Sequence, residues 1–229
     1  MSIAGDTRKF YRTKEEFAYE VLRESILQCT LKPGSKLVMD HLSVELGVSP
    51  IPIRSALQRL QAEGLVEITP HTGAVVSPIS TSMVAEVFAL LETLERTAFQ
   101  AAAEKARDED LARLRKSVQA MDQAAVEGDS QRWSELNSQF HRQIAALSGM
   151  DLLVEFTQRT LDRWDRLSRC YFSEVISVRM AQAQAEHRQV LQLLEQRDVQ
   201  ALEKLAAQHN RLAQKAYQEL IEAEHAEGD

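Results

Sequence analysis

The chain has 229 residues, a formal charge of −7, 44% apolar and 27% charged residues, and only two cysteines. That is enough apolar mass for a real core and too ordered a composition for a disordered or fibrous chain. Cys29 and Cys170 are too few for a disulfide framework or a cysteine metal site, so free thiols in a reducing compartment are expected. The sequence near the N-terminus lacks the apolar run of roughly 7 to 15 residues of a secretory signal. Nor does any uncharged stretch approach the roughly 18 to 20 residues of a bilayer span. A soluble, cytoplasmic protein with no membrane partner is the expectation.

Proline use divides the chain. Pro33, Pro50, Pro52, Pro70 and Pro78 all lie in the first 78 residues, and the 151 that follow contain none. The first part carries nine Lys/Arg and nine Asp/Glu, whereas the second carries 18 and 25, so the whole excess of acid belongs to the second part. The predicted organisation is residues 1–78 as one domain and 79–229 as another. The fold class is mostly α, with a small β-hairpin in the first domain and an all-α antiparallel helical bundle in the second.

In chain order, Glu15 to Gln28 sets Phe17, Val21, Leu22 and Ile26 near one helical face and stops before the turn Lys32-Pro33-Gly34. A short helix over Met39 to Leu46 ends at Gly47, where the backbone can reverse. Ser49 is placed to cap the next helix through its hydroxyl, with Pro50 at its first position, and Ile53, Ala56, Leu57 and Leu60 form its apolar stripe up to Gly64. The period then changes to two strands, Leu65 to Thr69 and Ala74 to Ser77, around the turn Pro70-His71-Thr72-Gly73. Two helices across a glycine turn followed by a hairpin make a winged helix-turn-helix.

From Val21 to Leu37, and then over LSVELGVSPIPIRSALQRLQAEGLVEITPHTGAVV (Leu42 to Val76), the chain resembles the N-terminal winged helix of GntR-type bacterial transcription regulators. The resemblance implies double-stranded DNA as partner, read by the third helix in the major groove. Arg54 stands at the turn where an arginine can give two hydrogen bonds to guanine. Ser49, Arg59, the arm of Arg8, Lys9, Arg12 and Lys14, and the hairpin tip at His71, Thr72 and Gly73 are candidate contacts to backbone or minor groove. The family pattern usually has arginine after the capping serine and in the hairpin tip, where this chain has Pro50 and Thr72. Binding that is weaker, or of different sequence preference, is therefore expected. The bland alternative is a winged helix that binds protein, with Arg54 a solvated surface residue.

Ser77-Pro78-Ile79-Ser80-Thr81-Ser82 is a polar break that contains a cap for the next helix. Beyond it, apolar residues recur at helical spacing, and breaks near Arg107, Gly128, Ser148 and Arg197 suggest about six helices. Asn137 and His141 lie one turn apart on one face. His187 lies ten residues before Arg197 and His209 twelve after it. At ~1.5 Å per residue the two sit about 15 and 18 Å along antiparallel helices, near the same level. Each histidine alone reads as a hydrogen-bonded core residue; three at matched depth suit a divalent transition ion, with zinc first and nickel or manganese next.

Asn137, His141, His187 and His209, with steps of 46 and 22 residues between the histidines, resemble the metal-containing FCD ligand-binding domain of the FadR-like branch of the same regulators. The resemblance implies a homodimer on a near-palindromic operator and a small-molecule effector, an organic acid whose carboxylate completes the metal sphere. Asn137 stands where many members have aspartate, and Leu91 where many have an arginine that helps bind an anionic effector. Two other classes are open at this stage. One is a three-histidine metal hydrolase, for which no HExxH helix is present. The other is a metal-stabilised interaction module without DNA binding.

Overall fold

Caps and turns place the helices of the first unit. The computed structural model describes residues 13–69 and 73–227, without side-chain detail at 172–174, 176–178 and 224–227, and its two compact units divide between Ile79 and Ser80. Arg8, Lys9, Arg12, His71 and Thr72 of the expected DNA contacts lie outside the described residues. Helix α1 (Lys14–Leu27) starts at Thr13, whose Oγ1 accepts a hydrogen bond from the Glu16 amide at 3.0 Å. Helix α2 (Met39–Leu46) ends at Gly47, which takes φ 64, a left-handed conformation that a side chain would oppose. Helix α3 (Pro50–Ala62) buries Ile53, Ala56, Leu57 and Leu60 against α1. Leu22, Ile26, Ile53, Leu60 and Val76 have no exposed surface, so this unit has its own core.

Two findings correct the sequence reading of this unit, and a third corrects the reading of the cysteines. Among the described residues the sheet has three strands, order β1-β3-β2, because Lys36–Leu37 (β1) pairs antiparallel with Gly73–Val76 (β3), which also pairs with Val66–Thr69 (β2). Ser49 occupies the N-cap position of α3, yet its hydroxyl makes no capping bond. A cap oxygen accepts from the second or third helical N–H, and the third residue here is Pro52, which has none. Cys29 and Cys170 are not free thiols, so their number alone was no guide to their chemistry.

The second unit is all helix: α4 (Thr81–Lys105), α5 (Asp108–Glu127), α6 (Ser130–Leu147), α7 (Asp151–Cys170), α8 (Phe172–Gln196) and α9 (Val199–Glu227). Ser80 caps α4, accepting from the Met83 amide at 3.2 Å. Helices α4 and α9 pack along each other, α5 packs on α6 and α8, and α8 packs on α9. Phe99, Leu114, Met121, Phe140, Ile144 and Leu202 are buried among them. The break between α7 and α8 at Tyr171 carries no glycine or proline and was not anticipated. Among the described residues no helix is long and apolar enough to cross a membrane.

Candidate metal centre and DNA-reading surface

Three helices of the second unit bring their histidines together. His141 comes from α6, His187 from α8 and His209 from α9, with ring centroids 5.2 Å (141 to 187), 5.0 Å (187 to 209) and 5.6 Å (141 to 209) apart. One ring nitrogen of each lies within 4.8 Å of the others, a spacing that can hold a metal ion. His187 is 1% exposed, lies 5.3 Å from the Phe140 ring and 5.9 Å from the Trp133 indole, and has no hydrogen-bond partner at either nitrogen. That is not how a satisfied core histidine looks. Burial pushes its pKa well below the usual histidine value, with the nearby imidazoles adding to the shift, so the ring is held neutral, the form that ligates.

Asn137, one turn before His141 on α6, is also buried, and its Oδ1 has no partner. It lines a cavity of about 40 Å³ together with His141, His209, Leu91 and Arg179. Leu91 gives this wall an apolar surface. Three converging imidazoles, with both His187 nitrogens and the Asn137 Oδ1 buried and unpartnered, fit a divalent transition ion, since each orphaned polar atom otherwise costs about 1 to 3 kcal/mol.

Two buried carboxylates face the outer sides of the rings, and sequence reasoning found neither. Glu186 Oε2 is hydrogen-bonded to His209 Nδ1 at 2.6 Å. The Arg179 guanidinium grips the same carboxylate at 3.0 and 2.6 Å and reaches the His209 carbonyl at 3.2 Å. Despite burial, the hydrogen bonds and charges of His209 and Arg179 draw Glu186 down to about 2, so it is ionised and accepts the Nδ1 proton, leaving Nε2 of His209 free. Glu95 on α4 lies 2.7 Å from His141 Nδ1 through Oε1 and accepts a 2.6 Å bond from Asn210 Nδ2 through Oε2. Burial opposes ionisation of Glu95, but His141, His209 and the Asn210 hydrogen bond together outweigh it and the carboxyl is held below its usual range. A signal existed for each. Glu95 is an acid four residues beyond Leu91 on an apolar stripe, and Glu186 is an acid two turns after Arg179.

In the first unit, Ser49 and Arg54 are exposed, and Arg54 lines a cleft of about 440 Å³ with Lys36, Gln58, Ile68 and Gly73. Arg59 is placed differently. Its guanidinium lies 3.7 Å above the centre of the Tyr19 ring on α1, while the Tyr19 hydroxyl donates to Glu63 at 2.5 Å and Arg23 pairs with the same carboxylate at 3.2 Å. Burial and the Glu63 carboxylate push Tyr19 up to about 12. Arg59 thus joins α3 to α1 by a cation–π contact and faces away from Arg54.

Comparison with known proteins agrees with this architecture. Residues 86–212 match the FCD domain model, and residues 14–76 match that of bacterial regulatory proteins of the gntR family. The HTH-type transcriptional repressor RspR of Escherichia coli (strain K12) is 26% identical over 191 residues, 83% of either chain. The HTH-type transcriptional regulator McbR of the same strain is 30% identical over 129 residues, 56% of this chain and 58% of that one. The solved structure of E. coli McbR/YncC matches with a TM-score of 0.74 at 22% identity, covering 92% of this chain and all of that one. A GntR family member from Pseudomonas syringae pv. tomato str. DC3000 matches with a TM-score of 0.56 at 27% identity, over 92% of this chain and 88% of that one.

Proposed function

The chain belongs to the FCD domain family, joined to a GntR-type winged helix, and on that premise we propose a one-component transcriptional regulator whose operator affinity responds to a small organic acid bound at a metal ion. The observation that carries the reading is the meeting of three imidazoles from α6, α8 and α9 around one point, with His187 buried and unpartnered.

His141, His187 and His209 would hold the ion, with Asn137 Oδ1 as the fourth group. When bound, a zinc or similar divalent ion supplies a positive anchor for an effector carboxylate. Glu186 fixes His209 by accepting its Nδ1 proton, Arg179 holds Glu186 in place, and the apolar wall that includes Leu91 receives the rest of the ligand. At the other end, Arg54 at the start of α3 would reach guanine in the major groove, with Ser49 beside phosphate and His71, Thr72 and Gly73 contacting the minor groove or backbone. Two chains would present two such helices about one DNA turn apart on a near-palindromic operator in the cytoplasm. RspR is a repressor, which supports repression as the direction of control here. The FadR-like branch, zinc and the homodimer are parts of this proposal. A hydrolase would need a carboxylate poised as a base, but Glu186 is held by Arg179 and His209, and Glu95 lies against His141 and Asn210.

Tag-free protein should carry one equivalent of metal per chain, and His141→Ala, His187→Ala and His209→Ala should each lose most of it. Fluorescence anisotropy on a selected operator should show a small carboxylate shifting wild-type affinity but not that of the variants. Full metal in all three variants would refute the centre, and consumption of the added acid would favour an enzyme.

A further inference from the structure

The first turn of α3 is apolar where a base-reading helix ordinarily offers donors. Ile51 is 79% exposed, one of the most exposed large apolar side chains among the described residues. It stands between Pro50 and Pro52, which have no N–H to give, and Ser49 makes no capping bond. At about 100° per residue, Pro50, Arg54, Gln58 and Ile51 fall within an arc of about 100°. All four are exposed, while Ile53, Ala56, Leu57 and Leu60 form the buried face. Ile51 therefore shares the face of Arg54, three residues away, and no contact within its unit hides it.

We infer that Ile51 reads the C5-methyl of a thymine beside the guanine read by Arg54. The inference rests on the DNA-binding reading above. An aliphatic side chain in the major groove has one feature to recognise there, the thymine methyl, because every other base edge presents hydrogen-bonding groups it cannot satisfy. Burying a branched chain against a cytosine amino group or a purine edge would instead leave a polar group desolvated. The two prolines stiffen the turn that carries Ile51, so the side chain is presented with little ordering cost. The half-site then has a thymine adjacent to guanine as a paired requirement set by residues 51 and 54.

The test uses the full chain and a duplex selected from a randomised library. Each thymine in a half-site is replaced in turn by deoxyuridine, which removes only the methyl, and Kd is measured by anisotropy at fixed salt. At one thymine next to the Arg54-dependent guanine, the replacement should weaken binding about fourfold, the value of one buried methyl group. Ile51→Ala should bind the dT and dU duplexes equally, with an unchanged melting temperature because the side chain is exposed. A methyl effect that persists undiminished in Ile51→Ala, or no methyl-sensitive position in a duplex that binds tightly, overturns the inference alone. A library from which no duplex is enriched overturns the DNA-binding reading and this inference with it.

Discussion

Glu186 would touch neither metal nor effector in the proposed scheme, yet through its hydrogen bond to His209 it sets the chemistry of a metal ligand. Its carboxylate fixes which nitrogen of His209 carries the proton, and Arg179 keeps the carboxylate ionised and still. Partners of this kind raise the basicity of a ligating imidazole and lock its orientation. Glu186→Gln keeps the volume and removes the charge, so metal affinity should fall about 10- to 100-fold. A chelator-competition titration reads this, with the melting temperature of metal-free protein as a check on folding. Affinity equal to wild type would show that His209 needs no such partner. The histidines themselves were legible in the sequence because helical spacing fixes depth along a helix. Glu95 and Glu186 were not, since they come from α4 and α8 to rings on α6 and α9, and spacing within one helix says nothing about which neighbour it faces.

Helix starts show the same dependence on neighbours at the next scale. Ser49 and Ser80 both hold the N-cap position before a helix, and sequence gives them equal standing. Ser80 accepts from the Met83 amide, while Ser49 faces Pro52, whose nitrogen has no hydrogen to offer. Ser80→Ala should therefore cost about 1 kcal/mol and Ser49→Ala only a few tenths. Urea unfolding, followed by probes in each unit, measures both. Equal losses would mean that the Ser49 hydroxyl has a stabilising role the cap geometry does not contain. Elements with their own punctuation were read within a residue or two: α2 before Gly47 and α5 before Gly128 are examples. β1 was missed because two residues are too few to show alternation, and its pairing partner, Gly73–Val76, lies far along the chain. The α7–α8 break was missed because Tyr171 leaves helical geometry at φ −119, ψ 26 without any residue type that demands it. The break at Arg197 was legible although it is no glycine. There φ is 57, and the Arg197 side chain donates to the carbonyls of Glu104 and Ala106.

Over the whole molecule, charge is distributed unevenly between the two units. The helical unit carries the entire net charge of −7, and the first 78 residues sum to zero. DNA affinity must then come from a few placed cations rather than from a general field. Of the nine Lys/Arg in that stretch, Arg59 lies on Tyr19 and Arg23 pairs with Glu63, so both are already engaged within the unit. Lys36 lines the Arg54 cleft and is exposed. Each phosphate contact adds about 0.9 to the slope of log affinity against log salt. Lys36→Ala should therefore flatten that slope by about one unit per chain. Arg59→Ala should leave it unchanged and instead lower the melting temperature, because the cation–π contact between α1 and α3 is lost. A salt series of anisotropy titrations separates the two variants. If Arg59→Ala flattened the slope as much as Lys36→Ala, Arg59 would have to leave Tyr19 on binding DNA, and the basic surface would extend around α3 beyond the face that carries Ile51 and Arg54.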